Sequence, residues 1–422
     1  MSKQRSLLVG RRAPPYLTPR LVARWKNFGL MRPAAALLLL PEVRLLELSE
    51  QNVVDYLRRT GRASDKEVLA QSLSGGVANI VLKIFDTGAG EKIGSDVRTP
   101  AQIKLGRPDN RPHAGLCYVI KQPLPKFKTQ AEWLVDIDRV LIERDCMLLL
   151  NDILPRGSAP EVLWFDETEN VLAISCAPAD AVIWKKSLLD GSVSLDASQH
   201  AGMLLAMMHS HTLHDGKVRK RFGDPRLFVQ QRIDAYLHAT AARHADLHNT
   251  LHGLGDTLLN EKLCLIHGDF SPKNIFVCPQ PDDEPDPKKR KFVVSHLMLL
   301  DFEVAFFSHP AFDVVTLLNH LLLKGWHHGK RWRPFMMAAD TFWTTYQSTA
   351  HKELVRAASH LGGHMLAALH LARVDGKSPV EYITDETIRA KIREAARRVL
   401  FQKDTSLDYA IDTISSFYPS PD

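Results

Sequence analysis

Apolar positions along this chain follow two periods, and the change from one to the other orders the elements. From Ser49, "SEQNVVDYLRRTG" places apolar residues at 53, 54 and 57 ahead of Gly61, the spacing of a short helix closed by a glycine. Residues 68–86, "VLAQSLSGGVANIVLKIFD", then read as two strands around a turn that holds Ser74, Gly75 and Gly76. Residues 86–115 are polar and rich in Gly and Pro, an exposed loop, and "GLCYVIKQPLP" is a further strand with Lys121 near its end. Helical spacing follows over 131–150, with apolar residues at 134, 137, 140, 141, 147, 148 and 150. Residues 159–183 give strand, turn at Glu169-Asn170, and strand.

Helices dominate thereafter. Ala197, Ala201, Leu204, Leu205 and Met208 share one face of a helix whose cap is Ser194 or Asp196. Residues 224–262 are helical with a polar, His-rich surface and show no chemistry, and 314–422 are helical by pattern. His209, His211 and His214 stand at a helix end, but their spacing does not bring three imidazoles to one face, so zinc is not expected there.

Two segments interrupt this helical stretch and carry the candidate chemistry. In "LCLIHGDFSPKNIFV", residues 263–277, Asp269 follows a short strand and Asn274 stands five positions later, before a second strand. In "HLMLLDFEVAFFSHPAFD", residues 296–313, Asp301 closes another strand and Glu303 lies two positions on. Each reads as a hairpin offering carboxylates at the mouth of a cleft. Phosphoryl transfer needs this set: a carboxylate to take the acceptor's proton, and oxygen ligands for a Mg²⁺ that bridges the triphosphate. The tripeptide His267-Gly268-Asp269 alone is ordinary turn chemistry. Its weight comes from Asn274, the strand after it and Asp301-Phe302-Glu303 behind.

"HGDFSPKN" followed by "LDFE" resembles the motif pair of the aminoglycoside phosphotransferase and choline kinase superfamily. Protein kinases carry HRDxxxxN and DFG at the same places, and an APE-type segment that is missing here. The resemblance spans roughly residues 50–385. It implies an α+β, protein-kinase-like bilobal fold, with a leader over 1–45, an N-terminal lobe over 46–177 and a C-terminal lobe over 178–422. It also implies an ATP-dependent small-molecule kinase using Mg²⁺, with Asp269 as base and Asn274, Asp301 and Glu303 toward the metal.

Under the same resemblance Gly75 and Gly76 cover the nucleotide, although a plain hairpin turn explains a Gly-Gly equally well. Lys121 reaches the phosphates, held by Glu143, since Arg139 and Glu143 match the family's R-x-x-x-E placement; Glu132, Asp136 and Asp138 compete for that role. Ser175 to Ala177 form the hinge beside the adenine. Arg373, His370 and Lys377 are acceptor-binding candidates, and Asp313 is expected to stiffen the catalytic loop. "VIKQPLPKFKTQAEW" is locally similar to methylthioribose kinases, so a sugar acceptor competes with an aminoglycoside-like one, and a pseudokinase or nucleotide-binding regulator is the rival from another class.

Charge narrows the partners. The formal net charge is +6, but residues 1–41 hold eight Lys or Arg and no acid, leaving 46 basic against 48 acidic residues beyond. The body is therefore not a nucleic-acid surface, and the expected partner is a small hydroxyl-bearing molecule. The leader reads as a disordered or mis-started segment, with a transit peptide, a basic arm or a weak signal sequence as alternatives. No apolar run approaches the ~20 residues of a membrane span. Five scattered cysteines, Cys117, Cys146, Cys176, Cys264 and Cys278, predict free buried thiols and a cytoplasmic location.

Overall fold

The computed structural model describes residues 46–73, 79–87, 117–124, 137–280, 293–403 and 405–420. Five antiparallel strands open the fold: β1 Val68–Ser72, β2 Asn79–Asp86, β3 Cys117–Pro123, β4 Val162–Asp166 and β5 Val171–Ser175, in the order β1-β2-β3-β5-β4. Strand parity divides their side chains. Ile80, Leu82 and Ile84 of β2, Tyr118 and Ile120 of β3, and Val171 and Ala173 of β5 pack on Val53, Tyr56 and Leu57 of the helix Val53–Arg59. Leu172 and Ile174 turn to the other face, where Cys146, Met147 and Leu150 of the helix Arg139–Ile153 join them to the larger core. Lys121 follows Ile120, so parity sends its side chain to that second face.

The larger part is mainly helical. The helix Leu195–His211 packs on Arg333–Thr349, and Ala311–His328 on Lys352–Asp375. Gly202 permits the first contact: a Cβ there would stand 2.6 Å from the Phe342 carbonyl oxygen. The cap left open between Ser194 and Asp196 is Ser194, whose hydroxyl accepts the Ala197 N–H at 3.2 Å.

The catalytic segments do not form the hairpins expected of them. β7 (Cys264–Ile266) pairs with β10 (Phe306–Ser308), while β8 (Ile275–Pro279) lies between β6 (Val182–Ile183) and β9 (Val294–Leu299). A 3₁₀ turn over Pro272–Asn274 carries the chain from one small sheet to the other, so each motif is held from two sides. Cysteine use also differs from expectation. Cys117 and Cys176 are joined by a disulfide, and only Cys146, Cys264 and Cys278 are free. The cause is register: β3 pairs with β5 through Tyr118↔Ser175, which sets residue 117 beside residue 176 across 59 positions of sequence.

Candidate active site

Lys121 is the first link between the two parts of the molecule. Its Nζ donates to Glu143 Oε1 at 2.5 Å and stands 3.9 Å from Asp301 Oδ1. Burial pulls the ammonium's pKa down, but the Glu143 and Asp301 carboxylates outweigh it, and the lysine is held above its ordinary value. Glu143 is pushed up by burial against the pull of Lys121. Glu143 thus takes the place for which Asp138 also competed, while Glu132 and Asp136 lie outside the described residues, as do Gly75 and Gly76.

Beside it lies the loop after β7. Gly268 adopts φ +75°, and a Cβ there would press on the Val304 carbonyl oxygen, so the position requires glycine. Asp313, fully buried at the start of the helix Ala311–His328, accepts the His267 N–H at 2.6 Å and the Gly268 N–H at 3.0 Å. His267 adds a second tie: Nε2 lies 3.0 Å from the Leu300 carbonyl oxygen, and Nδ1 accepts the Asp269 N–H at 3.3 Å. That pair of partners selects the neutral Nε2–H tautomer, and burial lowers the ring's pKa in the same sense. The loop of Asp269 is thereby locked to the strand that ends at Asp301.

Asp269 gathers three donors on one oxygen. Lys273 Nζ at 2.8 Å, Asn274 Nδ2 at 2.9 Å and Arg232 Nη2 at 3.2 Å all address Oδ2. Burial alone would raise this carboxyl; Lys273 and Arg232 reverse the effect and hold it well below the usual carboxylate range. Asn274 uses its amide N–H on Asp269, and its own carbonyl accepts the Leu300 N–H at 2.9 Å, so both strands share one register. Asp301 sits at φ +66° with a third of its side chain exposed, the open carboxylate of the site.

Other expected residues fall differently. Glu303 Oε2 accepts from Asn79 Nδ2 at 3.1 Å and Arg139 Nε at 3.2 Å, so it ties the small sheet to the catalytic strand instead of facing the open site. Burial and the Asp301 carboxylate push its pKa up to about 7. Ser175 exchanges its N–H and hydroxyl with Glu161, which occupies the main-chain donor that a hinge residue would offer; among the described residues nothing bonds to the main chain of Ala177. His370 is a core residue between Trp326 and Asn319, its ring lowered to about 3 by burial. Arg373 lines a small cavity with Lys273.

Sequence reasoning missed Arg232. It lies in the π-wound segment Val229–His238, read as helix without chemistry, and donates from Nε to the Gly268 carbonyl at 2.5 Å while Nη2 meets Asp269. An arginine in a helical stretch has no local mark; only the packing of that segment on the loop gives it a role. The three histidines near 211 separate as expected: His209 meets Tyr346 and Asp313, His211 the Met207 carbonyl, and His214 Glu353. Among the described residues no three His, Cys, Asp or Glu side chains form a metal cluster, and no helix is long and apolar enough to cross a membrane.

A model of the phosphotransferase enzyme family matches residues 126–343, just over half of the chain, and the chain belongs to that family. It is a phosphotransferase with an α+β architecture, a five-stranded antiparallel sheet followed by a larger, mainly helical part. Among solved structures it is similar to a choline/ethanolamine kinase family protein from Mesorhizobium loti, at 13% identity and TM-score 0.44 over 86% of this chain and 99% of that one. It is also similar to an ethanolamine kinase of Plasmodium vivax (13%, 0.42, 89% and 95%) and to an amicoumacin kinase in complex with AMP-PNP, Ca²⁺ and Ami (13%, 0.44, 85% and 95%). No curated protein matches the chain.

Proposed function

We propose that the protein transfers the γ-phosphoryl group of ATP to a hydroxyl of a small molecule, between lobes formed by residues 46–177 and 178–422. The observation that carries this reading is Lys121, which reaches from the small sheet to 2.5 Å from Glu143 and 3.9 Å from Asp301. Such a lysine, held by two acids, is the cation a kinase sets against the phosphates of its nucleotide. Gly75 and Gly76 would cover the nucleotide from above, and the linker at Ala177 would meet the adenine edge.

The donor set suits Mg²⁺. That ion takes one or two protein ligands and fills its octahedron with phosphate oxygens and water, and Asn274 and Asp301 offer one amide and one open carboxylate. When bound it neutralises charge on the triphosphate. Asp269 orients the acceptor hydroxyl and receives its proton. Lys273, Asn274 and Arg232 fix the Asp269 carboxylate, and Lys121 holds the phosphates. An aminoglycoside-like and a methylthioribose-like acceptor both fit the family; a nucleotide-binding regulator does not need Lys121, Asp269, Asn274 and Asp301 together. A cytoplasmic location, where ATP is at hand, goes with this activity, although the Cys117–Cys176 bond points toward an oxidising compartment.

Asp269→Asn should lower kcat by about 10²–10⁴ and leave Mg·ATP affinity within about twofold. Asp301→Ala should weaken Mg·ATP binding instead, read by calorimetry. An Asp269→Asn enzyme with full turnover removes the base assignment.

A further inference from the structure

Beside the catalytic loop lies a small cavity that opens to solvent, to which five separate segments contribute. Lys185 comes from the helix Trp184–Leu189, Lys273 from the loop itself, His320 and Lys324 from Ala311–His328, Arg373 from the end of Lys352–Asp375, and Tyr382 from the turn after it. The charges are not balanced within it. Glu381 at the rim meets Lys185 at 2.5 Å, and Asp269 meets Lys273 at 2.8 Å. Lys324 and Arg373 have no carboxylate partner among the described residues.

Lys324 is 1% exposed; its ammonium has only the His320 carbonyl at 3.3 Å and the Tyr382 ring at 5.2 Å. Arg373 Nη1 bonds to Ser378, but its Nε is buried with no partner, and so is the Tyr382 hydroxyl. Buried donors and an uncompensated buried cation are costly unless something of opposite charge completes them. Lys273 lines this cavity and bonds to Asp269 at 2.8 Å, so the cavity adjoins the base.

Resting on the kinase reading above, we propose that the acceptor is an anion: a small hydroxylated molecule whose phosphate or carboxylate group is received by Arg373, Lys324 and Tyr382. The acceptor oxygen forms a bond to the γ-phosphorus, the bond from that phosphorus to the β–γ bridging oxygen breaks with its electron pair staying on ADP, and the hydroxyl proton passes to Asp269. The product is a phosphate ester that keeps the original anionic group. A polycation such as an aminoglycoside, or choline, would face Lys324 and Arg373 with like charge.

The test holds the protein at saturating Mg·ADP, so that the nucleotide's own phosphate contacts are filled, and follows thermal unfolding while inorganic phosphate is added. Phosphate should raise the wild-type transition, and its apparent affinity should fall about tenfold or more in Arg373→Met and Lys324→Met, as expected for loss of a charge-assisted contact. The Mg·ADP shift in the same variants reports that they fold. No phosphate-dependent shift in the wild type, an unchanged one in both variants, or a shift given by choline in place of phosphate overturns the proposal. Failure of the kinase reading looks different: Mg·ADP alone then gives no shift, before any phosphate is added.

Discussion

At the scale of single residues, Lys324 makes the clearest trade between stability and binding. It faces Lys185, Arg373, Glu381, Tyr382 and the His320 of its own helix, and burial, then Lys185 and Arg373, lower its ammonium from 10.5 to about 7. The folded protein therefore binds fewer protons than the unfolded chain between those two values, and stability rises with pH across that window. A methionine carries no such penalty. Lys324→Met should raise the unfolding temperature at pH 6 by about 1 °C per ~1 kcal/mol relieved in a chain of this size, and the gap should shrink by pH 9. Equal gaps at both pH values would mean that the lysine is not buried as a cation. Arg232 shows the opposite balance: its charge is met by Asp269 and its Nε by Gly268, so it positions the base without a burial penalty of that kind.

Among elements, the join between the loop after β7 and the helix Ala311–His328 decides the site. Asp313 was legible from sequence as a helix-start carboxylate near the motif, since an acid there accepts main-chain N–H groups. Its partners were not, because His267 and Gly268 lie more than forty residues upstream. Asp313→Ala leaves both N–H groups buried and unpaired, which should cost about 2–5 kcal/mol in denaturant unfolding and lower kcat more than it raises the KM for ATP. A variant of wild-type stability would show that the loop is held by other contacts. The strands around it illustrate the limit of local pattern: "CLI" and "IFV" were readable as strands, but the first pairs with β10, forty residues further along, and the second with β6 and β9.

Across the whole molecule, two cores meet through the five-stranded sheet. β5 serves both, Val171 and Ala173 on one side and Leu172 and Ile174 on the other, so the sheet that carries Lys121 cannot shift independently of the helix that carries Glu143. The Cys117–Cys176 bond ties the first residue of β3 to the residue after β5, two neighbouring interior strands of this sheet. Denatured without reductant, the chain should show three titratable thiols, Cys146, Cys264 and Cys278, and five after reduction. Five at the outset would restore the reading of free thiols in a reducing compartment. Cys176→Ser should destabilise the oxidised protein by about 2–4 kcal/mol.

The sequence by itself determined the strands and helices near the motifs, and the identity of Lys121, Asp269, Asn274 and Asp301, because period, turn chemistry and motif spacing are local properties of a chain. Only the tertiary structure decided that Arg232 holds Asp269, that Cys117 meets Cys176, and that Lys185, Lys324 and Arg373 share one cavity. Those relations join residues tens to hundreds of positions apart. Charge complementarity across such distances exists only once packing has removed the water between the groups, and no pattern along the chain records it.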